Sequence, residues 1–103
     1  MINKFNALIA LFMGYNQEIV NGEVYFTLDD MLEALSMEEL HYHDDWNWLI
    51  AAVEKCVTLP DATTFTNYQQ YHDELHNALW SLNIDTTFRS VVTFINWYNL
   101  KKE

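Results

Sequence analysis

Positive charge is scarce in this sequence, and no lysine or arginine occurs between Lys4 and Lys55. The chain has 15 acidic and five basic residues, for a net charge of −10 at pH 7. Direct contact with nucleic acid phosphates depends on lysine and arginine, so the composition argues against a nucleic-acid-binding protein. A negative surface attracts a basic protein partner over distance. Because acidic surfaces also keep small proteins soluble, charge alone leaves both interpretations open.

Cysteine, glycine and proline are also rare. The single cysteine, Cys56, excludes a disulfide framework and a cysteine-based zinc site, and favours a reducing cytoplasm. Gly14 and Gly22 are the two glycines, so a glycine-rich phosphate-binding loop is excluded, and no serine lies in a nucleophile elbow. The first apolar stretch is too short to span a bilayer. We therefore expect a protein that is not an enzyme, needs no cofactor and does not enter a membrane.

Length and periodicity predict one domain over residues 1–103. The expected class is α+β and predominantly helical, with four to five short helices packed in one layer or bundle and one β-hairpin at about 17–27. Residues 2–13 form the first helix, which ends at Gly14. Asn21-Gly22 between two β-prone runs predicts strands at 17–20 and 23–27. N-capping patterns at Thr27 and Ser36 predict a helix through Met31, Leu32 and Leu35 that breaks and restarts.

Helical periodicity continues through the second half. Asp44 or Asp45 caps a helix whose predicted inner face is Trp46, Leu49, Ile50, Val53 and Val57. Pro60 ends it, and residues 61–64 form either a loop or a short strand. The next helix carries an apolar stripe of Phe65, Tyr68, Leu75, Leu79 and Leu82. Asp85 is expected to cap the last helix, whose inner face is Phe88, Val91, Val92, Ile95 and Tyr98.

Two histidine groups have metal-binding character. His72 and His76 are four positions apart, as in zinc proteases, but Asp73 replaces the glutamate that would act as general base. His41, His43, Asp44 and Asp45 lie at a helix start, where capping already explains the aspartates. We therefore expect no metal site, and a hydrolase using His72 and His76 is the least favoured hypothesis.

Aromatic residues outside the main apolar faces form a third candidate group. Trp48 points away from the face of Trp46 and Ile50, and Phe94 and Trp97 lie off the inner face of the last helix. Each residue either completes a second packed layer, which we favour, or anchors an interface, where tryptophan contributes strongly to binding. An exposed Trp48 beside acidic residues suits a partner rich in lysine and arginine.

Two stretches, "YHDDWNWLIAAVEK" (42–55) and "NIDTTFRSVVTFINWYN" (83–99), carry blocks of the form YHxxWxWL…VEK and VVxFIxWYN. These blocks resemble a group of small uncharacterised phage and prophage proteins of Bacteroidetes-type bacteria. The resemblance covers about a third of the chain. It implies a phage origin and a bacterial host cytoplasm, and it implies no particular activity. In kind, a short acidic phage protein without catalytic motifs is similar to anti-CRISPR and other anti-defence inhibitors.

We therefore expect a non-enzymatic protein that binds a basic surface of a nucleic-acid-processing protein, such as an RNA-guided nuclease, and inhibits it. An alternative is a phage structural or assembly subunit that forms a homo-oligomer through its extra aromatic faces. Residues 29–45 and one tryptophan make up the expected partner-binding surface. Its residues are Asp29, Asp30, Glu33, Glu38, Glu39, Asp44, Asp45 and Trp48.

Overall fold

The computed structural model describes residues 2–28 and 33–102. Within these ranges it contains four α-helices and a three-stranded antiparallel sheet, which confirms the expected, predominantly helical α+β class. In chain order the elements are α1 (Ile2–Phe12), β1 (Asn16–Val20), β2 (Glu23–Thr27), β3 (Leu35–Ser36), α2 (Trp46–Val57), α3 (Tyr68–Trp80) and α4 (Ile84–Lys101). Two short 3₁₀ turns, Met37–Glu39 and Ala62–Thr64, lie between them.

The hairpin forms where the sequence predicts it. Asn21 and Gly22 adopt positive φ angles of 54° and 81°, as a two-residue hairpin turn requires. Val20 pairs with Glu23, and Asn16 pairs with Thr27 at the far end of the ladder. This turn therefore fixes the register, and with it the side chains that share each face of the sheet.

The sequence predicts a helix after the hairpin, and this prediction is wrong for Leu35. Leu35 and Ser36 form β3, which pairs antiparallel with Phe26 and Tyr25 of β2. Asp29, Asp30, Met31 and Leu32 lie outside the described residues. Ser36 does begin a new turn, but that turn is the 3₁₀ segment Met37–Glu39 and not a longer helix.

Helix α4 forms the centre of the core, because α1, α2 and α3 all pack against it. Its predicted inner face is buried, and so are Phe94 and Trp97, which confirms the second packed layer proposed for them. The predicted inner face of α2 is partly wrong. Leu49 and Val53 are buried, whereas Ile50 and Val57 at its edge remain 36% and 37% exposed.

The start of α2 agrees with the prediction, and the boundaries of α3 and α4 differ from it. Asp45 caps α2, as expected, by accepting a hydrogen bond from the backbone N–H of Asn47 at 2.8 Å. Asn83 caps α4 in place of Asp85, through a 3.0 Å bond from the N–H of Thr86. Phe65 and Leu82 lie outside α3, and Ala62–Thr64 is a 3₁₀ turn. No helix in the described ranges is long and apolar enough to cross a membrane.

Candidate functional site: an acidic sheet face

Alternation along β2 turns one face of the sheet to the core and the other outward, whereas β1 is exposed along its whole length. Phe26 is fully buried, so its neighbour Tyr25 points to the opposite, outward side. Glu18 lies directly across from Tyr25 in the ladder, and Glu23 is two residues before it on β2. Residues opposite each other or two apart share a face, so two glutamates flank the outward tyrosine. The Tyr25 hydroxyl donates a 2.9 Å hydrogen bond to Glu23 Oε2.

The 3₁₀ turn after β3 brings two more glutamates to the same face. The backbone N–H of Ser36, the residue that pairs with Tyr25, donates to Glu39 Oε1 at 3.0 Å. This bond, together with the Ser36 side chain, lowers the pKa of Glu39 below its usual value. The hydrogen bond to Glu23 raises the pKa of Tyr25, and the negative charges of Glu23, Glu38 and Glu39 add to this effect. We call Glu18, Glu23, Glu38 and Glu39 the sheet-face cluster.

The turn before α2 extends this negative surface. His41 Nδ1 lies 3.1 Å from Asp44 Oδ1, and the charge of His41 also contributes to the lowered pKa of Glu39. The indole of Trp48 meets the His41 ring edge-on at 5.7 Å and the Tyr42 ring at 5.2 Å. His41 therefore lies between Glu39, Asp44 and Trp48, which brings together three of the residues predicted to bind a partner.

The remaining predicted residues have other positions. Asp45 is committed to capping α2, so its carboxylate already holds a backbone N–H. Glu33 is exposed on the bend that precedes β3. Asp29 and Asp30 lie outside the described residues, and their place on this surface stays a prediction.

The lysine and arginine side chains of the described residues make their contacts away from the sheet-face cluster, or are exposed on other elements. The Lys55 ammonium donates to the carbonyl of Phe12 and lies over its ring, 4.9 Å from the centroid. Arg89 pairs with Asp85 at 3.0 Å, and Lys102 lies 5.3 Å from the ring centroid of Tyr98. Lys4 and Lys101 are exposed on α1 and α4. Among residues 2–28 and 33–102, no lysine or arginine forms an ion pair with the sheet-face cluster.

A buried asparagine anchors the segment 40–44, which we call the acidic turn, to α1. Asn6 Nδ2 donates to the carbonyl of Leu40 at 3.1 Å and to His43 Nδ1 at 2.8 Å. An amide nitrogen only donates, so His43 Nδ1 must accept and its proton must be on Nε2. That nitrogen lies 3.5 Å from Asp44 Oδ2. Asn6 is fully buried, and its own Oδ1 accepts no hydrogen bond from any residue in the described part.

The histidines do not assemble a metal centre within the described residues. The His72 and His76 rings are nearly parallel, 6.4 Å apart, between the rings of Tyr68 and Trp80. No three His, Cys, Asp or Glu side chains of the described ranges converge as metal ligands would. Burial raises the pKa of the Cys56 thiol to about 12, which opposes formation of a nucleophilic thiolate at neutral pH.

Sequence reasoning missed half of the sheet-face cluster. Glu18 and Glu23 lie before the interval proposed for binding, and Tyr25 and His41 had no assigned role there. The alternation of the hairpin is the signal that finds them, since residues 18, 23 and 25 must share a face once Asn21-Gly22 sets the register.

Comparisons with protein-family models, with curated proteins and with solved structures each find no match to this chain. The interpretation of its function therefore comes from its own residues and their geometry.

Proposed function

We propose that this protein acts by binding and not by catalysis, and that the sheet-face cluster docks on a positively charged surface of another protein. One observation carries the proposal: four glutamates share a face on which no lysine or arginine of the described residues neutralises them. Such a surface accelerates association with a basic partner and orients it. Tyr25 and Trp48 add aromatic rings on which lysine or arginine can stack, at about 0.5–2 kcal/mol each.

In its specific form, the proposal is that the partner is a nucleic-acid-processing protein, such as an RNA-guided nuclease, in the cytoplasm of a bacterial host. Proteins of that class present basic surfaces to nucleic acid phosphates, and the sheet-face cluster has the complementary charge. An anti-defence role is part of this proposal, and it depends on the phage origin expected for residues 42–55 and 83–99. A captured partner should then lose affinity for DNA or RNA when this protein is bound.

Capture from a bacterial host lysate on three matched baits tests the proposal. The first bait is the wild type, and the second carries Glu18→Gln, Glu23→Gln and Glu38→Gln. Glu39 is kept because it caps the 3₁₀ turn. The third bait removes the same amount of charge at three exposed acids of other elements, Asp61→Asn, Glu74→Gln and Asp85→Asn.

The proposal expects a basic protein that the wild type and the third bait retain and the second bait does not. Equal retention on all three baits would show that net charge, and not this face, drives the association. The third bait therefore separates a specific surface from general acidity.

A second candidate function is a subunit that assembles with copies of itself. Its support is the strong exposure of Trp80 and Leu82 at the end of α3. A net charge of −10 opposes association of identical chains, so we rank this candidate lower. Sedimentation velocity separates the two: a stable homo-oligomer at low micromolar concentration favours assembly, and a monomer favours the binding protein.

A further inference from the structure

Helices α2 and α3 both pack on α4, and an apolar groove of about 430 Å³ opens between them. We call it the apolar groove; its lining residues are Trp46, Ile50, Leu79, Trp80 and Leu82. Its residues lie on different elements from the sheet-face cluster, so it is a second surface of the molecule. It includes Trp80 and Leu82, whose exposure also supports the self-assembly candidate.

The groove displays large apolar side chains that the core does not use. Trp80 is 70% exposed and Leu82 is 78% exposed. Leu82 also has a positive φ of 59°, a conformation that is sterically unfavourable for leucine and easy for glycine or asparagine. Leu82 directly follows the C-cap Ser81, where helices regularly end in this conformation, so the φ angle is explained by the helix end and only the exposed side chain bears on binding. Tryptophan is also among the residues that dominate interface energetics.

Exposed acids lie on both helices beyond the lining of the groove. Glu54 lies one helical turn after Ile50 on α2, and Asp73 lies two turns before Trp80 on the same side of α3. Both acids are exposed. The one lysine on these two helices, Lys55, points to α1, where it bonds the carbonyl of Phe12. The charge pattern therefore suits an apolar ligand with flanking cations.

We infer that the apolar groove binds an amphipathic helix of a different protein, with a bulky apolar side chain between Trp80 and Ile50 and lysine or arginine beside Glu54 and Asp73. Grooves between two helices accept a third helix through side chains at i, i+3, i+4 and i+7. A second copy of this chain is the poorer occupant, because it would bring ten net negative charges close to the exposed acids of α2 and α3. The inference does not depend on the sheet-face proposal.

The test uses the full chain and a synthetic leucine–lysine peptide of about 18 residues, five helical turns, with leucine along one face. A peptide of the same composition and scrambled order keeps the charge and loses the apolar face. The protein variants are Trp80→Ala and Leu82→Gly, and the sheet-face variant Glu18→Gln, Glu23→Gln, Glu38→Gln is the matched control. Leu82→Gly is the sharpest variant, because it removes the exposed side chain and also relieves the positive φ.

We expect Leu82→Gly to retain or raise the thermal unfolding midpoint while it weakens binding of the ordered peptide at least tenfold. The sheet-face variant should bind the ordered peptide within threefold of the wild type. Three outcomes would overturn the inference: equal affinity of wild type and Leu82→Gly, equal affinity for the scrambled peptide, or a homodimer that Leu82→Gly dissociates. The last outcome would identify a second copy as the occupant.

Discussion

Asn6 ties the acidic turn to α1, and replacing it with aspartate tests that role directly. Asn6→Asp keeps the shape of the side chain and exchanges the donating nitrogen for a carboxylate oxygen. The new oxygen faces the Leu40 carbonyl, 3.1 Å away, which can only accept, and His43 Nδ1, 2.8 Å away, which accepts in the tautomer that Asn6 selects. A proton moved to His43 Nδ1 would restore one of the two bonds, but the contact with the Leu40 carbonyl would remain repulsive. The side chain is fully buried, so water cannot compensate for the lost bonds.

The free energy of unfolding that Asn6→Asp is expected to lose is large compared with the total stability of a small domain. An uncompensated buried charge costs about 3–5 kcal/mol, against a total free energy of unfolding of about 5–15 kcal/mol. For a chain of this length, a loss of 3 kcal/mol lowers the unfolding midpoint by at least about 12 °C. Asn3→Asp on the exposed side of α1 is the matched control, and it should change stability by less than about 0.5 kcal/mol.

The pH dependence of this loss has a definite sign. Burial disfavours the charged carboxylate, so the pKa of the introduced group is raised above the ordinary aspartate value. The penalty is therefore fully present at neutral pH and decreases as the pH falls through the raised pKa. Urea unfolding at pH 7.5 and 5.5, followed by tryptophan fluorescence, measures both terms. A cost for Asn6→Asp no larger than that for Asn3→Asp, or one that is the same at both pH values, would refute this account of the anchor.

Three further perturbations test other parts of the structure. With the pKa of Cys56 raised to about 12, stability should fall by about 1 kcal/mol per pH unit between pH 9 and 10, because the unfolded thiol ionises first. Alkaline urea titrations should give a shallower slope in this range for Cys56→Ala than for the wild type, and the slope above pH 10 should remain in both because burial also raises the pKa of Tyr42. Asn83→Ala should cost about 1 kcal/mol through the lost cap on Thr86, and Asp85→Ala about half as much; the reverse order in urea unfolding would contradict the capping assignment. Gly22→Ala should destabilise the hairpin by about 1 kcal/mol, because φ is +81° there, and unchanged stability by thermal unfolding would argue against this turn.

Local chemistry predicts the elements whose signals are short-range. Asn21-Gly22 specifies its turn because few other residue pairs tolerate two positive φ angles, and Asp45 specifies a helix start because its oxygen reaches the N–H of Asn47. Asn83 and Asp85 are both good caps, and the sequence alone could not choose between them. β3 has only two residues and depends on pairing with β2, so periodicity could not detect it.

Exposure of side chains depends on packing that periodicity does not describe. Ile50 and Val57 share the helical face of Leu49 and Val53, yet both lie at its edge and are partly exposed. Ile50 lines the open apolar groove, and Val57 is the last residue of α2. Helical periodicity predicts that Leu82 continues the apolar stripe of α3, but the helix ends at Trp80, two residues earlier. The acidic face was only partly predicted, because Glu38 and Glu39 join Glu18 and Glu23 through a strand pairing that local patterns do not specify.

The salt dependence of partner binding tests the central claim most directly. Titration calorimetry of the captured partner, at low and at high ionic strength, would compare the wild type, the sheet-face variant and the variant with three acids neutralised elsewhere. The account predicts that the wild type and the second variant show the same steep loss of affinity with salt, and that the sheet-face variant binds weakly with a shallow slope. A sheet-face variant with the affinity and slope of the wild type would contradict it.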